Sequence, residues 1–317
     1  MRLKRRSFIS CDWGTSFFRL RWVDPELKVR REFREASGCK LLYQRAPDPA
    51  RRSSLYEATL RKGLAAFNEL AGTSVPLVIS GMASSTIGWR EIPYLAEPLR
   101  IDGSNLRFEM IDWPGPNWLG PTYLISGVAL DGEMMRGEET EAVGILGSMP
   151  REDLTLILPG THSKHLEVCD GRIARIFTYM TGELYEVLST HSILSASIDR
   201  SRSEPPGASF EEGVRRAREA GLARGLFRTR TRAVLDQHPA AENAGFLSGL
   251  LIGSELCDLA ASGRKLWIAG TPALRDLYVR ALKCFDLPDA AWGEVPQKVI
   301  ELAVPAAQAG LLAAKPV

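Results

Sequence analysis

Residues 7–23 read SFISCDWGTSFFRLRWV, and this stretch decides the fold. The β-type run Ser7–Cys11 meets the turn Asp12-Trp13-Gly14 and is followed by a second run, Phe17–Val23, which predicts a hairpin whose tip carries an acid, a glycine and the hydroxyls of Thr15 and Ser16. A third run, Val29–Glu35, lies between Asp24-Pro25 and Ser37-Gly38, so two hairpins stand in series. Helical spacing of Leu60, Leu64, Phe67 and Leu70 predicts a helix over about Ser53–Leu70, and the apolar run Pro76–Ile79 completes a βββαβ order.

The second half repeats the plan. Leu154–Leu158, Lys164–Val168 and Ile173–Tyr179 are three β-runs separated by Pro159-Gly160 and Asp170-Gly171. The first loop is Gly-Thr-Ser in one copy and Gly160-Thr161-His162-Ser163 in the other, and each half later has an apolar strand ending in glycine, at Gly81 and at Gly270. Agreement in strand order, turn position and loop chemistry points to an internal duplication. Two helices are expected between the later strands: Phe210–Phe227, opened by a Ser209/Glu212 capping box, and Glu242–Ala261, with Gly245, Gly249 and Gly253 on one stripe for tight helix packing. The polar, proline-bearing stretches Gln44–Ser54 and Ser201–Gly207 are expected to be surface loops.

A chain of 317 residues exceeds what one core usually serves, so two α/β domains with a cleft between them are expected, 1–130 and 131–317. The net charge of +2, from 40 basic and 38 acidic residues, implies neither a nucleic-acid nor a membrane surface. Five scattered cysteines without a CxxC pair predict reduced thiols, and the basic cluster Arg2, Lys4, Arg5, Arg6 is followed by a run that Asp12 and Arg19 break, unlike a secretory leader; a cytoplasmic protein is expected. The apolar run at Phe246–Ile252 is too short to span a membrane.

The loops carry the chemistry. Backbone N–H groups at Gly14, with Thr15 and Ser16 beside them, suit phosphate oxygens, and Asp12 suits a water-bridged Mg²⁺. Gly160, Thr161, His162, Ser163 and Lys164 form the same device again, expected opposite the first across the cleft. His162 and His165, three apart on a strand, point to opposite faces and do not share a metal. Gly270 and Thr271 lie where a strand meets a helix, a place suited to adenine or ribose.

These three loops, in this order, resemble the two phosphate motifs and the adenosine motif of the superfamily that contains actin, the heat-shock 70 chaperones, hexokinase and the glycerol-kinase-like sugar kinases. Longer strings (DWGTSFFR, SGMASSTIGW, MRGEET, PGTHSKH, YMTGELYEVL, FLSGLLIGSE) resemble motifs of the 2-dehydro-3-deoxygalactonokinases over nearly the whole chain. The resemblance implies a pair of ribonuclease H-like, actin-like ATPase domains and transfer of phosphate from ATP, with Mg²⁺, to the carbon-6 hydroxyl of the sugar acid in galactonate breakdown. It places the catalytic base in the string Arg136-Gly137-Glu138-Glu139-Thr140, at Glu138 or alternatively Glu139. For the acidic substrate it suggests Arg19 and Arg136 at the carboxylate, Ser84, Ser85 and Trp89 along one wall and Thr181 and Glu183 along the other. Two other functions fit the same loops: a kinase for another sugar or sugar acid, and a non-catalytic nucleotide switch. The expected partners are ATP and a small sugar acid, with no nucleic acid or membrane, and a homodimer is compatible with the chain.

Overall fold

A computed structural model describes residues 6–201, 207–260 and 262–314, so Arg2, Lys4 and Arg5 of the basic cluster, residues 202–206 of the second loop and Ala261 lie outside the described residues. By packing, the described residues form two compact units: 6–152 with 169–176 and 297–314, and those within 153–168 and 177–296.

The first unit opens with β1 (Phe8–Trp13), β2 (Phe18–Val23) and β3 (Val29–Glu35), then α1 (Cys39–Arg45), α2 (Pro49–Leu64) and β4 (Val75–Gly81). Then come β5 (Leu99–Arg100), β6 (Phe108–Ile111), β7 (Leu119–Ile125), β8 (Val128–Leu130), β9 (Glu133–Met135) and α3 (Glu138–Leu146). The sheet runs β3-β2-β1-β4-β7-β6. Its first two pairings are antiparallel, while β1–β4 and β4–β7 are parallel. The core is aromatic: Trp13 is fully buried, 4.4 Å from the Phe18 ring and 4.7 Å from Tyr56, and donates its indole N–H to the Ser37 carbonyl at 3.0 Å.

The chain continues with β10 (Leu154–Leu158), β11 (Ser163–Cys169), β12 (Arg172–Tyr179), α4 (Thr181–His191), α5 (Ala208–Val234), α6 (Ala240–Ala260), β13 (Leu266–Ile268), α7 (Pro272–Lys283) and β14 (Trp292–Glu294), all in the second unit except the end of β11 and the first part of β12, residues 169–176, which pack with the first. The order β14-β13-β10-β11-β12 repeats β7-β4-β1-β2-β3 of the first unit, with β10–β11 antiparallel and β10–β13 and β13–β14 parallel. Both sheets thus have the ribonuclease H-like order, and the fold is the duplicated α/β architecture of the actin-like ATPases. The last helix, α8 (Gln297–Ala314), belongs to the first unit. Among the described residues no helix is long and apolar enough to cross a membrane.

Several sequence expectations are corrected. Residues 131–152 and 297–314, placed on the sequence in the second domain, pack in the first unit, because α3 and α8 share a face on which a Cβ at Gly144 would lie 1.8 Å from the Ala303 carbonyl oxygen. Helix α2 begins inside the expected surface loop: Asp48 caps it by accepting from the Arg51 N–H, and Pro49 occupies the first turn, where its missing N–H is harmless. That helix stops at Leu64, and residues 65–70 form a 3₁₀ segment bent at Phe67. The Ser209/Glu212 capping box is not made, since α5 starts at Ala208 behind Gly207. Instead Ser209 accepts from the buried Arg232 at 2.9 Å and Glu212 pairs with the same guanidinium.

Two glycines of the α6 stripe pack as expected, while Gly245 would keep its Cβ 3.8 Å from the Phe210 nitrogen, an ordinary contact. A Cβ at Gly249 would stand 1.9 Å from the Phe210 carbonyl oxygen of α5, and one at Gly253 would stand 2.8 Å from the Val214 Cα. Gly310, exposed on α8, has open space around its Cβ position. Gly249→Ala is therefore expected to lower stability by about 1–3 kcal/mol through backbone overpacking. Gly310→Ala is expected to raise it by about 0.5–1 kcal/mol through helix propensity. Denaturant titration of the two variants beside the parent checks both signs.

Candidate active site

In the first unit the site grows from the carboxyl ends of the parallel pair β1 and β4. Gly81 ends β4 at φ 96°, and a Cβ there would lie 2.6 Å from the Trp13 carbonyl oxygen. Gly137, at φ 113°, brings the start of α3 to the same place, its Cβ position 3.3 Å from the Gly81 Cα. Burial of Trp13 fixes the residues on either side of it. Asp12 keeps about a third of its side chain exposed and is paired across β2 with Arg19, whose guanidinium stands 3.7 Å away. Partial burial raises the Asp12 carboxyl above its usual value, against the pull of Arg19, Arg21 and Arg34.

The hydroxyl loop is braced by its backbone. Gly14 N–H donates to the Phe17 carbonyl at 2.9 Å, while the carbonyls of Gly14, Thr15 and Ser16 accept from Cys39, Lys40 and Gly38 at 3.0, 3.2 and 3.2 Å. Thr15 and Ser16 are left exposed.

Glutamates crowd the first turn of α3, where the helix N-terminus favours negative charge. Glu138 is half-buried and accepts from the Arg136 N–H at 3.0 Å. Glu139 is fully buried and accepts from the Gly137 N–H at 2.6 Å and the Thr140 hydroxyl at 2.9 Å. Burial, then the charge of Glu138, pushes the Glu139 carboxyl up to about 7. Glu141, which the sequence reading missed, is pushed up to about 7 by burial and by the charges of Asp12 and Glu138, with Arg19 opposing. Its signal was present in the string EETE, because residues three apart on a helix share a face.

The expected substrate residues of this unit fall into two groups. Arg19 keeps 29% of its side chain exposed, although its Nε is buried without a partner. Arg136 is buried, donating at 2.6 Å to both the carbonyl and the hydroxyl of Ser84 and at 3.2 Å to the Ile92 carbonyl, with its guanidinium 3.9 Å above the Tyr94 ring. Ser85 donates to the Met82 carbonyl at 2.7 Å, and Trp89 donates to Ser53 at 3.2 Å while meeting Trp113 edge-on. Ser84, Ser85, Trp89 and Arg136 thus shape the loop after β4 from within.

In the second unit the matching place is the carboxyl end of β10. Gly270, at φ 102°, lies against Pro159, with a Cβ position 3.4 Å from its ring. Gly182, at the start of α4, packs on the loop, where a Cβ would stand 2.6 Å from the Gly160 carbonyl oxygen, and Glu183 N–H donates to the Thr161 carbonyl at 3.0 Å. Thr271 caps α7, its hydroxyl accepting from the Leu274 N–H at 3.5 Å. Loop 159–162 is therefore flanked by the N-termini of α4 and α7, whose partial positive charges suit an anion. Thr161 and His162 are exposed, and the His162 ring meets the Glu183 carboxylate. Lys164 is buried, with its ammonium 3.0 Å from the His162 carbonyl oxygen. The hydroxyls of Ser163 and Thr181 turn inward to Glu255, as does His165, so the two histidines have different carboxylate partners. Sequence reasoning missed Glu255, whose signal is an acid amid the apolar sequence of α6. Among the described residues no cluster of His, Cys, Asp and Glu is arranged as a metal site by itself.

Comparison with known proteins bears on this geometry. Residues 12–301 match the family described as 2-keto-3-deoxy-galactonokinase. The chain belongs to that family. It is 32% identical over 286 residues to a Rhizobium meliloti (strain 1021) protein named probable 2-dehydro-3-deoxygalactonokinase, covering 87% of this chain and 89% of that one. It is 29% identical over 262 residues to the 2-dehydro-3-deoxygalactonokinase of Escherichia coli (strain K12), covering 80% of each. A crystal structure of a Sinorhizobium meliloti protein described as a candidate 2-dehydro-3-deoxygalactonokinase superposes with a TM-score of 0.80 at 31% identity, over 97% of both chains. The chain is thus a kinase that uses ATP.

The raised Glu139 carboxyl has a pH consequence. The native protein holds a proton there that the unfolded chain releases near the usual glutamate value, so this contribution is greatest in acid and is lost as pH rises to about 7. The melting temperature of the ligand-free protein is expected to fall between about pH 5 and pH 8, and Glu139→Gln, which cannot titrate, is expected to flatten that dependence. A parallel slope in the variant would show that Glu139 is not its source.

Proposed function

We propose that this chain transfers the γ-phosphoryl group of ATP to the carbon-6 hydroxyl of 2-dehydro-3-deoxygalactonate, in galactonate breakdown. One observation carries the assignment of parts. Each unit ends its central parallel strand pair in a glycine-supported loop, flanked in the first by Asp12 and a glutamate-rich helix start and in the second by two helix N-termini. The names of the relatives support the substrate.

In this reading loop 159–164 holds nucleotide phosphates through its backbone, and Gly270 with Thr271 borders the nucleoside. Thr15 and Ser16, both exposed, present donors to the phosphates, while Gly14, whose N–H is taken by the Phe17 carbonyl, shapes the turn; Asp12 would hold Mg²⁺ through water. The residues suit that ion, because Mg²⁺ keeps several waters and is usually held by one or two carboxylates and the substrate phosphates. When bound, Mg²⁺ neutralises phosphate charge. Glu138 is the base that takes the hydroxyl proton, since its carboxylate is half-exposed while Glu139 is enclosed between two donors. Arg19, with 29% of its side chain exposed, meets the substrate carboxylate.

A coupled assay with ATP over a panel of 2-keto-3-deoxy acids and neutral sugars is expected to show turnover of 2-dehydro-3-deoxygalactonate above the rest; preference for a neutral sugar would overturn the substrate. Asp12→Asn is expected to abolish turnover while the protein keeps its melting temperature. Glu138→Gln is expected to lower kcat by about 10²–10⁴-fold with nucleotide affinity unchanged, the range for loss of a general base. The same loss in Glu139→Gln but not Glu138→Gln would move the role to Glu139.

A further inference from the structure

Glu255 lies on α6 with only 2% of its surface exposed, and it collects four donors. One carboxylate oxygen accepts from the Ser163 hydroxyl at 2.6 Å and faces His165 Nε2 at 2.7 Å. The other accepts from the Tyr278 hydroxyl at 2.7 Å and from the Thr181 hydroxyl. An ionised carboxylate accepts about four hydrogen bonds and donates none, so these partners saturate it, and His165 must present an Nε2–H. Burial alone would raise its pKa, but the bonds and charge supplied by His165, then Ser163 and Thr181, hold the carboxyl below its usual range.

The four partners are not scattered. Ser163 opens β11 directly after the 159–162 loop, His165 follows it, Thr181 is the first residue of α4, and Tyr278 lies on α7. β11, α4 and α7, three of the elements that frame the loop, are thereby tied to one atom group. For stability alone such a group is a poor device, since apolar residues of similar volume often serve a buried site as well or better. A saturated buried carboxylate instead fixes the groups around it in one geometry.

We propose that Glu255 is a positioning residue for ATP: by holding Ser163 and Thr181 it sets loop 159–162 and the start of α4 in the arrangement that receives the nucleotide phosphates. This rests on the kinase reading of the same loop. Glu255→Gln keeps the size but puts an amide donor where four donors converge, so the surrounding hydroxyls must turn. The KM for ATP is expected to rise about tenfold, equivalent to about 1.4 kcal/mol, while the KM for the sugar acid stays within about twofold. A merely structural loss would shrink the active fraction and lower kcat, leaving both KM values in place.

Tyr278→Phe removes one tether and leaves the charge with three donors, so it serves even if Glu255→Gln does not fold; an increase in ATP KM of about threefold is expected, by about half the free energy of the larger change. Wild-type activity with an unchanged ATP KM in the folded variants overturns the inference alone. A wild-type chain without ATP-dependent turnover overturns the kinase reading and the inference together.

Discussion

At the carboxyl end of each central strand pair stands a glycine whose positive φ an L-residue rarely adopts, and at Gly81 it also lets two chain segments meet more closely than a side chain allows. Gly81 at φ 96° sits on the Trp13 carbonyl, and Gly270 at φ 102° sits on Pro159. An L-residue would be strained at either angle, and at Gly81 its Cβ would also run into backbone. Because β1 and β10 deliver the chemical loops directly after these contacts, the placement of Asp12 and of residues 159–164 depends on them. The positions correspond in the two ribonuclease H-like sheets, so the duplication preserved a backbone conformation along with a topology.

Around these contacts the two units handle negative charge in opposite ways. The first gathers Asp12, Glu138, Glu139 and Glu141; burial raises the carboxyls of Asp12, Glu139 and Glu141, and neighbouring carboxylates raise the two glutamates further, against arginines beside Asp12 and Glu141 and hydrogen bonds to Glu139. Such crowding is tolerated where a positive charge is to be received. The second buries a single carboxylate, Glu255, and saturates it with donors, which keeps it ionised and the loop beside it fixed. One arrangement suits a site that changes its charge on binding, the other a scaffold that does not.

Much of the fold was legible because the signals were local. Turn residues after short β-runs placed β1 to β3 and β10 to β12 within one or two residues, and Gly249 and Gly253 announced a close helix pair. The departures came where distant partners overrode local preference. Ser209 and Glu212 spell a capping box, yet the buried Arg232 takes both side chains, since leaving that charge unpaired would cost more than a cap contributes. Arg136, Ser84 and Trp89 read as substrate groups because they are polar or amphipathic and stand near a glycine; in the structure Arg136 bonds to Ser84, and the Trp89 indole bonds to Ser53 on α2.

The sequence by itself determined the order of strands, the duplicated loop chemistry and, through long motif strings, the family. Those properties reside in residues adjacent along the chain, where spacing and turn preference are sufficient. Tertiary structure alone decided which polar groups face inward. It sent α8 back to the first unit, enclosed Glu139 while leaving Glu138 half-exposed, and joined Ser163, His165, Thr181 and Tyr278 on Glu255. The physical reason is that a buried polar atom must find a partner wherever packing places one, and no local pattern records a partner up to 92 positions away.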